Sequence, residues 1–206
     1  MPAPEITPAH PFEPRAASGH VNLMVDTMIA NMRPEDLRAV MRTLLATHSP
    51  ALASAFTEIA RARLAQVDAR ASSSAPLFTR TSPSNLSKPA PGLTDALTRA
   101  RALYGAGMGF ASLALLTAVV RATRGRQWDP EGDMVNALAM IDADITQAIQ
   151  SSKEEMDAGR VPDLSAAHAV AGELSEALRG CVPDVEGWGG EFPFERAVAS
   201  LDHWKF

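Results

Sequence analysis

Cysteine occurs once in the 206 residues, at Cys181, which excludes an intrachain disulfide framework and a zinc site built from several cysteines. Lysine is also scarce. Lys88, Lys153 and Lys205 stand alone, and the basic charge comes from arginine, whose planar fork suits bidentate pairing with carboxylates. Aromatics make up 5% of the chain, and Ala and Leu dominate over Ile, Thr and Tyr, which favours helix over sheet. The start, MPAPEITPAHPFEP, has neither a basic nor an apolar stretch of the secretory kind. No secretory signal is expected, and an intracellular setting, nuclear or cytoplasmic, is. The most apolar stretch, Leu103 to Val120, only reaches the length of a membrane span. Its glycines, Ser112, Thr117 and Tyr104 dilute it, so a buried central helix is expected and no membrane partner.

What is present is amphipathic helix. The expected fold is all-α, a single bundle of six or seven helices over residues 21–206, with a disordered tail at 1–20 and a flexible Ser/Pro-rich loop at 69–92. Leu23, Met24, Thr27, Met28 and Met32 recur at three- and four-residue spacing. Pro34 opens a second helix, with Glu35 and Asp36 in its first turn and Leu37, Val40, Met41, Leu44 and Leu45 as its buried stripe. Ser49-Pro50 opens a third, carrying Leu52, Phe56, Ile59 and Leu64. A helix over 93–126 is broken or kinked by Gly105, Gly107 and Gly109, which also admit a close neighbour. These glycines make no dinucleotide loop, because Phe110 stands at the next required glycine and no strand precedes them. Asp129-Pro130 is read as the start of a long helix ending at Gly159. Another runs from about Asp163 to Gly180 and Pro183, and a last one follows Pro193.

Within the loop, Leu77-Phe78 is expected to dock back onto the bundle, and Ser82-Pro83 after Arg80 has the form of a phosphorylation site. Charge is unevenly divided. Residues 1–127 hold 14 Lys+Arg against 8 Asp+Glu, and residues 128–206 hold 5 against 16. Two halves of opposite sign can pack together. Alternatively, Arg121, Arg124 and Arg126 form a basic patch for nucleic acid.

Catalytic patterns are sparse. His10, His20, His48, His168 and His203 lack ligand spacing. Asp142 and Asp144 point in different directions on a helix, and Asp129-x-Glu131-x-Asp133 lacks the glycine and terminal carboxylate of a calcium loop. No metal, cofactor or catalytic residue is assigned. The expected function is a non-catalytic protein–protein interaction module, an adaptor or scaffold subunit. Its partner-binding candidates are the methionine face, Met24, Met28 and Met32, and the aromatic C-terminus, Trp188, Phe192, Phe194, Trp204 and Phe206. Two alternatives stand beside it: an enzyme or small-molecule binder with a pocket near helix 105–120, and a chromatin-associated protein using the arginine cluster.

Residues 32–56, MRPEDLRAVMRTLLATHSPALASAF, read as a Leu-rich helix, a turn at His48 and a second helix. This segment resembles the first helices of the Cut8/Sts1 family, which tethers the proteasome at the nucleus. The resemblance implies an all-helical bundle similar to 14-3-3 proteins. The family's lysine-rich N-terminal segment has no counterpart in this chain.

Overall fold

The computed structural model describes residues 23–68, 75–82 and 84–204; the side chains of Leu23, Met24 and Asp68 lie outside that description. The expected disordered tail 1–20, Pro83 and Phe206 therefore fall outside the described residues. The fold is mostly helical. The described residues form α1 (Leu23–Asn31), α2 (Pro34–Thr47), α3 (Pro50–Asp68), β1 (Phe78–Thr81), β2 (Leu86–Pro89), α4 (Pro91–Gly105), α5 (Gly109–Arg121), α6 (Asp133–Asp157), α7 (Leu164–Glu186) and α8 (Glu195–Asp202). The chain divides into two compact units, Met1–Ala53 and Ser54–Phe206.

In the first unit, Pro34 occupies the start of α2 with Glu35 and Asp36 in its first turn, as the spacing predicts. The stripe Leu37, Val40, Met41, Leu44 and Leu45 was expected to be buried. It is half-buried at four positions and exposed at Val40, and α2 has no buried residue. Spacing fixes which face is apolar, but burial needs something packed on that face.

The second unit holds the core. α5 carries no charged residue before Arg121 and packs against α4, α6 and α7 at once. Leu113, Leu116, Val119 and Val120 of α5 are buried with Leu138, Ile141 and Ile145 of α6 and Leu174 and Leu178 of α7. Burying each leucine or isoleucine contributes roughly 1.5–3 kcal/mol. The break expected within 93–126 separates two helices, α4 and α5, at Ala106–Met108, with Gly107 at φ 73. The separation is stabilised from outside. Arg61 Nε donates to the Ala106 carbonyl at 2.6 Å, placing a cation at the negative end of α4, and Ser151 Oγ donates to the Tyr104 carbonyl at 2.8 Å.

Residues 69–92 are not one structureless loop, since 78–89 form an antiparallel hairpin with Phe78 opposite Pro89 and Thr81 opposite Leu86. Its turn places Asn85 at φ 57, a left-handed conformation that Asn tolerates. Phe78 is buried in the core, and Ser87 N–H donates to the Gln127 carbonyl at 2.7 Å, so long-range contacts order a stretch whose composition alone reads as linker.

Two helix limits also differ from expectation. Asp129 and Pro130 do not start α6. They form a turn in which Asp129 Oδ1 accepts the Glu131 N–H at 3.0 Å, and the helix begins at Asp133 after Gly132. Gly180 and Pro183 do not end α7, which continues to Glu186. Cys181 and Val185 are buried on either side of Pro183, and their packing holds the helix through the missing N–H.

Candidate functional site

The end of α7 builds the site. Gly190 N–H donates to the Val185 carbonyl and Gly189 N–H to the Glu186 carbonyl, with Gly189 at φ 77, the arrangement of a Schellman termination. A Cβ at Gly190 would fall into the Trp188 ring, so the glycine lets the indole fold back over the chain. There Trp188 meets Trp128 edge-on, with ring centroids 4.9 Å apart and planes at 80°. Trp128 is buried and precedes the Asp129–Gly132 turn, so the start of α6 and the end of α7 present two indoles at one place.

Around these rings lies a cleft of about 550 Å³, floored by Trp128, Trp188, Leu138 and Phe192, walled by Pro130 and Pro193, and rimmed by Glu131 and Glu191. A second cleft of about 560 Å³ shares Glu191, Phe192 and Pro193 and continues over Asp142, Glu195 and Arg196. The joined groove offers four carboxylates against one guanidinium. Trp188 Nε1 is buried without an acceptor among the described residues, a cost of about 1–3 kcal/mol.

Asp142 belongs to this groove and has a structural duty as well. Its Oδ1 accepts the Ala197 N–H at 2.8 Å and so caps α8, whose own N-cap residue, Phe194, contributes no side-chain bond. Burial pushes the Asp142 carboxyl up, and the Ala197 and Arg196 backbone N–H groups pull it partly back. A carboxyl raised in the folded state favours folding fully below its unfolded pKa. That contribution is lost as pH rises through the folded value. Asp142→Asn keeps an oxygen for Ala197 and cannot ionise. Urea unfolding of both proteins from acid to neutral pH is expected to show the wild type losing stability relative to the variant as pH rises. Parallel profiles would disprove the assignment.

Asp144, two residues on, faces elsewhere. It accepts Arg101 Nε at 3.0 and 3.1 Å, Arg101 Nη2 at 2.9 Å and the Tyr104 hydroxyl at 3.1 Å, fastening α4 to α6. Burial, followed by the Asp144 charge, raises the Tyr104 phenol. Cys181 is buried, its thiol also pushed up by burial, with Thr123 Oγ1 at 3.6 Å. No group of three or more His, Cys, Asp or Glu among the described residues is placed to hold a metal ion.

The expected partner-binding residues separate. Trp188 and Phe192 line the cleft. Phe194 and Trp204 are core instead, because α8 turns them inward over α6, where Trp204 stacks near Phe110 at 5.8 Å. Met28 is exposed and Met32 half-buried; the Met24 side chain and Phe206 lie outside the described residues. The arginines do not form one open patch. Arg121 pairs with Glu173 at 3.1 Å, Arg124 lies over Gly180, and Arg126 donates to the Ala122 carbonyl at 2.6 Å with its guanidinium 5.2 Å above the Phe78 ring. Each is used to join α5 to α7 or to the hairpin. Burial, then neighbouring Arg80, lowers Arg126.

Trp128, Pro130, Glu131 and Glu191 were missed by sequence reasoning. The available signal was a tryptophan beside Asp-Pro in a chain with three tryptophans. A further cleft of about 290 Å³ beside α5 is lined by Phe110, Ala111, Ala114 and Val170, near the expected pocket at 105–120. Its acids are engaged: Glu155 accepts the Phe110 N–H and Asp163 caps α7 at Ala166. No helix of the described residues is long and apolar enough to cross a membrane.

The chain matches no protein-family model, no curated protein and no solved structure.

Proposed function

We propose that the protein is a non-catalytic helical interaction module that holds an extended, proline-containing basic segment of a partner protein in the Trp128–Trp188–Phe192 groove. The observation that carries this reading is the combination of two indoles, a phenyl ring and two prolines with an acidic rim. Proline rings pack flat on aromatic faces. A polyproline II segment makes no internal hydrogen bonds, so it can lie extended along a groove without losing any. The carboxylates Glu131, Glu191 and Glu195 suit Arg or Lys beside the prolines. The cleft beside α5 supports a small ligand less well, since its two acids already serve the backbone.

Isothermal titration with synthetic proline-rich peptides, with and without flanking arginines, tests this. The arginine-bearing peptides are expected to bind, and more weakly as salt rises. Phe192→Ala and the pair Glu131→Gln, Glu191→Gln are each expected to weaken binding about tenfold or more. Both changes touch partly or fully exposed side chains and leave the core in place. Failure of every such peptide to bind, or binding indifferent to these variants, would overturn the reading.

A further inference from the structure

Two arginines that the aromatic groove does not use converge on the break between α4 and α5. Arg61 on α3, Gly107 in the break and Arg160 just past α6 all belong to the unit Ser54–Phe206. A Cβ at Gly107 would stand 3.1 Å from Nη2 of Arg61 and 3.1 Å from Nη2 of Arg160, so the two nitrogens lie within twice that distance of each other. Gly107, left-handed at φ 73, has no side chain to fill the space between them. The backbone sets both positions. Arg61 Nε donates to the Ala106 carbonyl at 2.6 Å. Gly159 ends α6 at φ 64, and the Arg160 N–H reaches back to the Glu155 carbonyl at 3.1 Å, so the chain turns at once and carries Arg160 to Gly107.

Two cations this close repel each other, and no described side chain neutralises them. Among the described residues no carboxylate forms an ion pair with either arginine. Glu155 is spent on the Phe110 N–H, and neither Nη2 donates to a described acceptor. We propose that Arg61 and Arg160 hold a compact dianionic oxyanion over Gly107, either free phosphate or a small phosphomonoester. Its two charges match the two guanidiniums. Charge-assisted N–H···O contacts of about 2.7–2.9 Å to two oxygens of one phosphate bridge the gap between the forks. The surroundings select a small ligand. Glu154, Asp157 and Asp163 lie exposed on either side of Arg160 along the chain, and the whole chain carries −5. A polyanion or an anionic membrane would meet those carboxylates along with the arginines. The site shares no residue with the aromatic groove and stands whatever that groove holds.

Isothermal titration of the full chain with inorganic phosphate, at constant ionic strength, tests it. Saturable one-to-one binding in the millimolar range is expected, with acetate at least about tenfold weaker because it brings one charge. Arg160→Gln is expected to weaken phosphate binding about tenfold. Arg160 is exposed and its side chain bonds to nothing described, so this variant keeps the fold. Arg179→Gln removes the same charge about 22 Å along α7 from Leu164 and is expected to bind phosphate as the wild type does. Phosphate is expected to raise the thermal midpoint of the wild type more than that of Arg160→Gln. Absence of saturable binding overturns the proposal. So does binding that is equal in the wild type and Arg160→Gln, or lost equally in both arginine variants. Vesicles carrying phosphatidic acid are expected to leave the protein in solution. Retention on them that Arg160→Gln abolishes would overturn the compact-ion form and assign the phosphate to a lipid headgroup.

Discussion

Replacing Phe194 by alanine is expected to cost about 3–5 kcal/mol of unfolding free energy, the range for deleting a buried phenyl ring. Phe194 is 0% exposed and is the residue from which α8 begins, directly before Glu195. Its ring packs edge-on to Phe192 at 5.9 Å and belongs to the cluster that joins α8 to the rest of the core. The variant loses the ring's burial, leaves a cavity, and loosens the helix start that Asp142 caps. Domains are stable by only about 5–15 kcal/mol, so a large share is at stake. Phe192→Ala is the informative contrast, because Phe192 is half-buried at the groove and its removal is expected to cost about 1 kcal/mol while weakening peptide binding about tenfold or more. Urea denaturation of the three proteins decides it. If Phe194→Ala unfolds within about 1 kcal/mol of the wild type, α8 is not part of the core.

Gly109→Ala is the second large effect, and its sign is opposite to the usual one. Glycine to alanine in a helix normally stabilises by about 0.4–1 kcal/mol by restricting the unfolded chain. At Gly109 the added methyl would fall onto the amide nitrogen, Cα and Oγ of Ser152. That obstacle is the backbone of α6 and cannot rotate aside. The start of α5 and the last turns of α6 must separate, straining the Phe110 N–H bond to Glu155 at 3.3 Å. A loss of about 3 kcal/mol is expected, the upper part of the range for overpacking. Gly105→Ala is the control. No atom lies within 4 Å of the Cβ it would add, so it is expected to be neutral or stabilising by up to about 1 kcal/mol. Thermal unfolding of the pair that moved both midpoints in the same direction would show that the close helix crossing at Gly109 is absent.

These two residues show how far a linear reading reaches. The glycines at 105, 107 and 109 were legible as a break or a close approach, and the structure uses them for both, with Gly107 in the break and Gly109 at the crossing. Which glycine did which was not legible, because the obstacle at Gly109 is Ser152, 43 positions away. The aromatic C-terminus was legible as unusual, but the division between core residues, Phe194 and Trp204, and groove residues, Trp188 and Phe192, was not. Neighbours two residues apart turn opposite ways where a helix starts, and a list of residue types carries no such direction. The hairpin at 78–89 was hidden for a related reason. Its Ser and Pro content is that of a linker, and contacts with distant residues, such as Phe78 entering the core and Ser87 bonding Gln127, give it order.

Local chemistry was decided by the sequence alone. Helix spacing, Pro34 at the start of α2, the charge-free run that becomes α5, and the all-α class depend on residues within a few positions of one another. Those interactions are short-ranged and repeat with the helix period, so they can be read without knowing where the chain goes next. Tertiary structure alone decided which apolar faces are covered. It buried most of α5, whose Ala114, Ala118 and Arg121 stay exposed, and left α2 without a buried residue. It also joined Trp128 to Trp188, 60 positions apart, and gave Asp142 the cap of α8 while Asp144 fastened α4. Burial, capping from another helix and the making of a groove are properties of segments brought together, and no single segment carries the information.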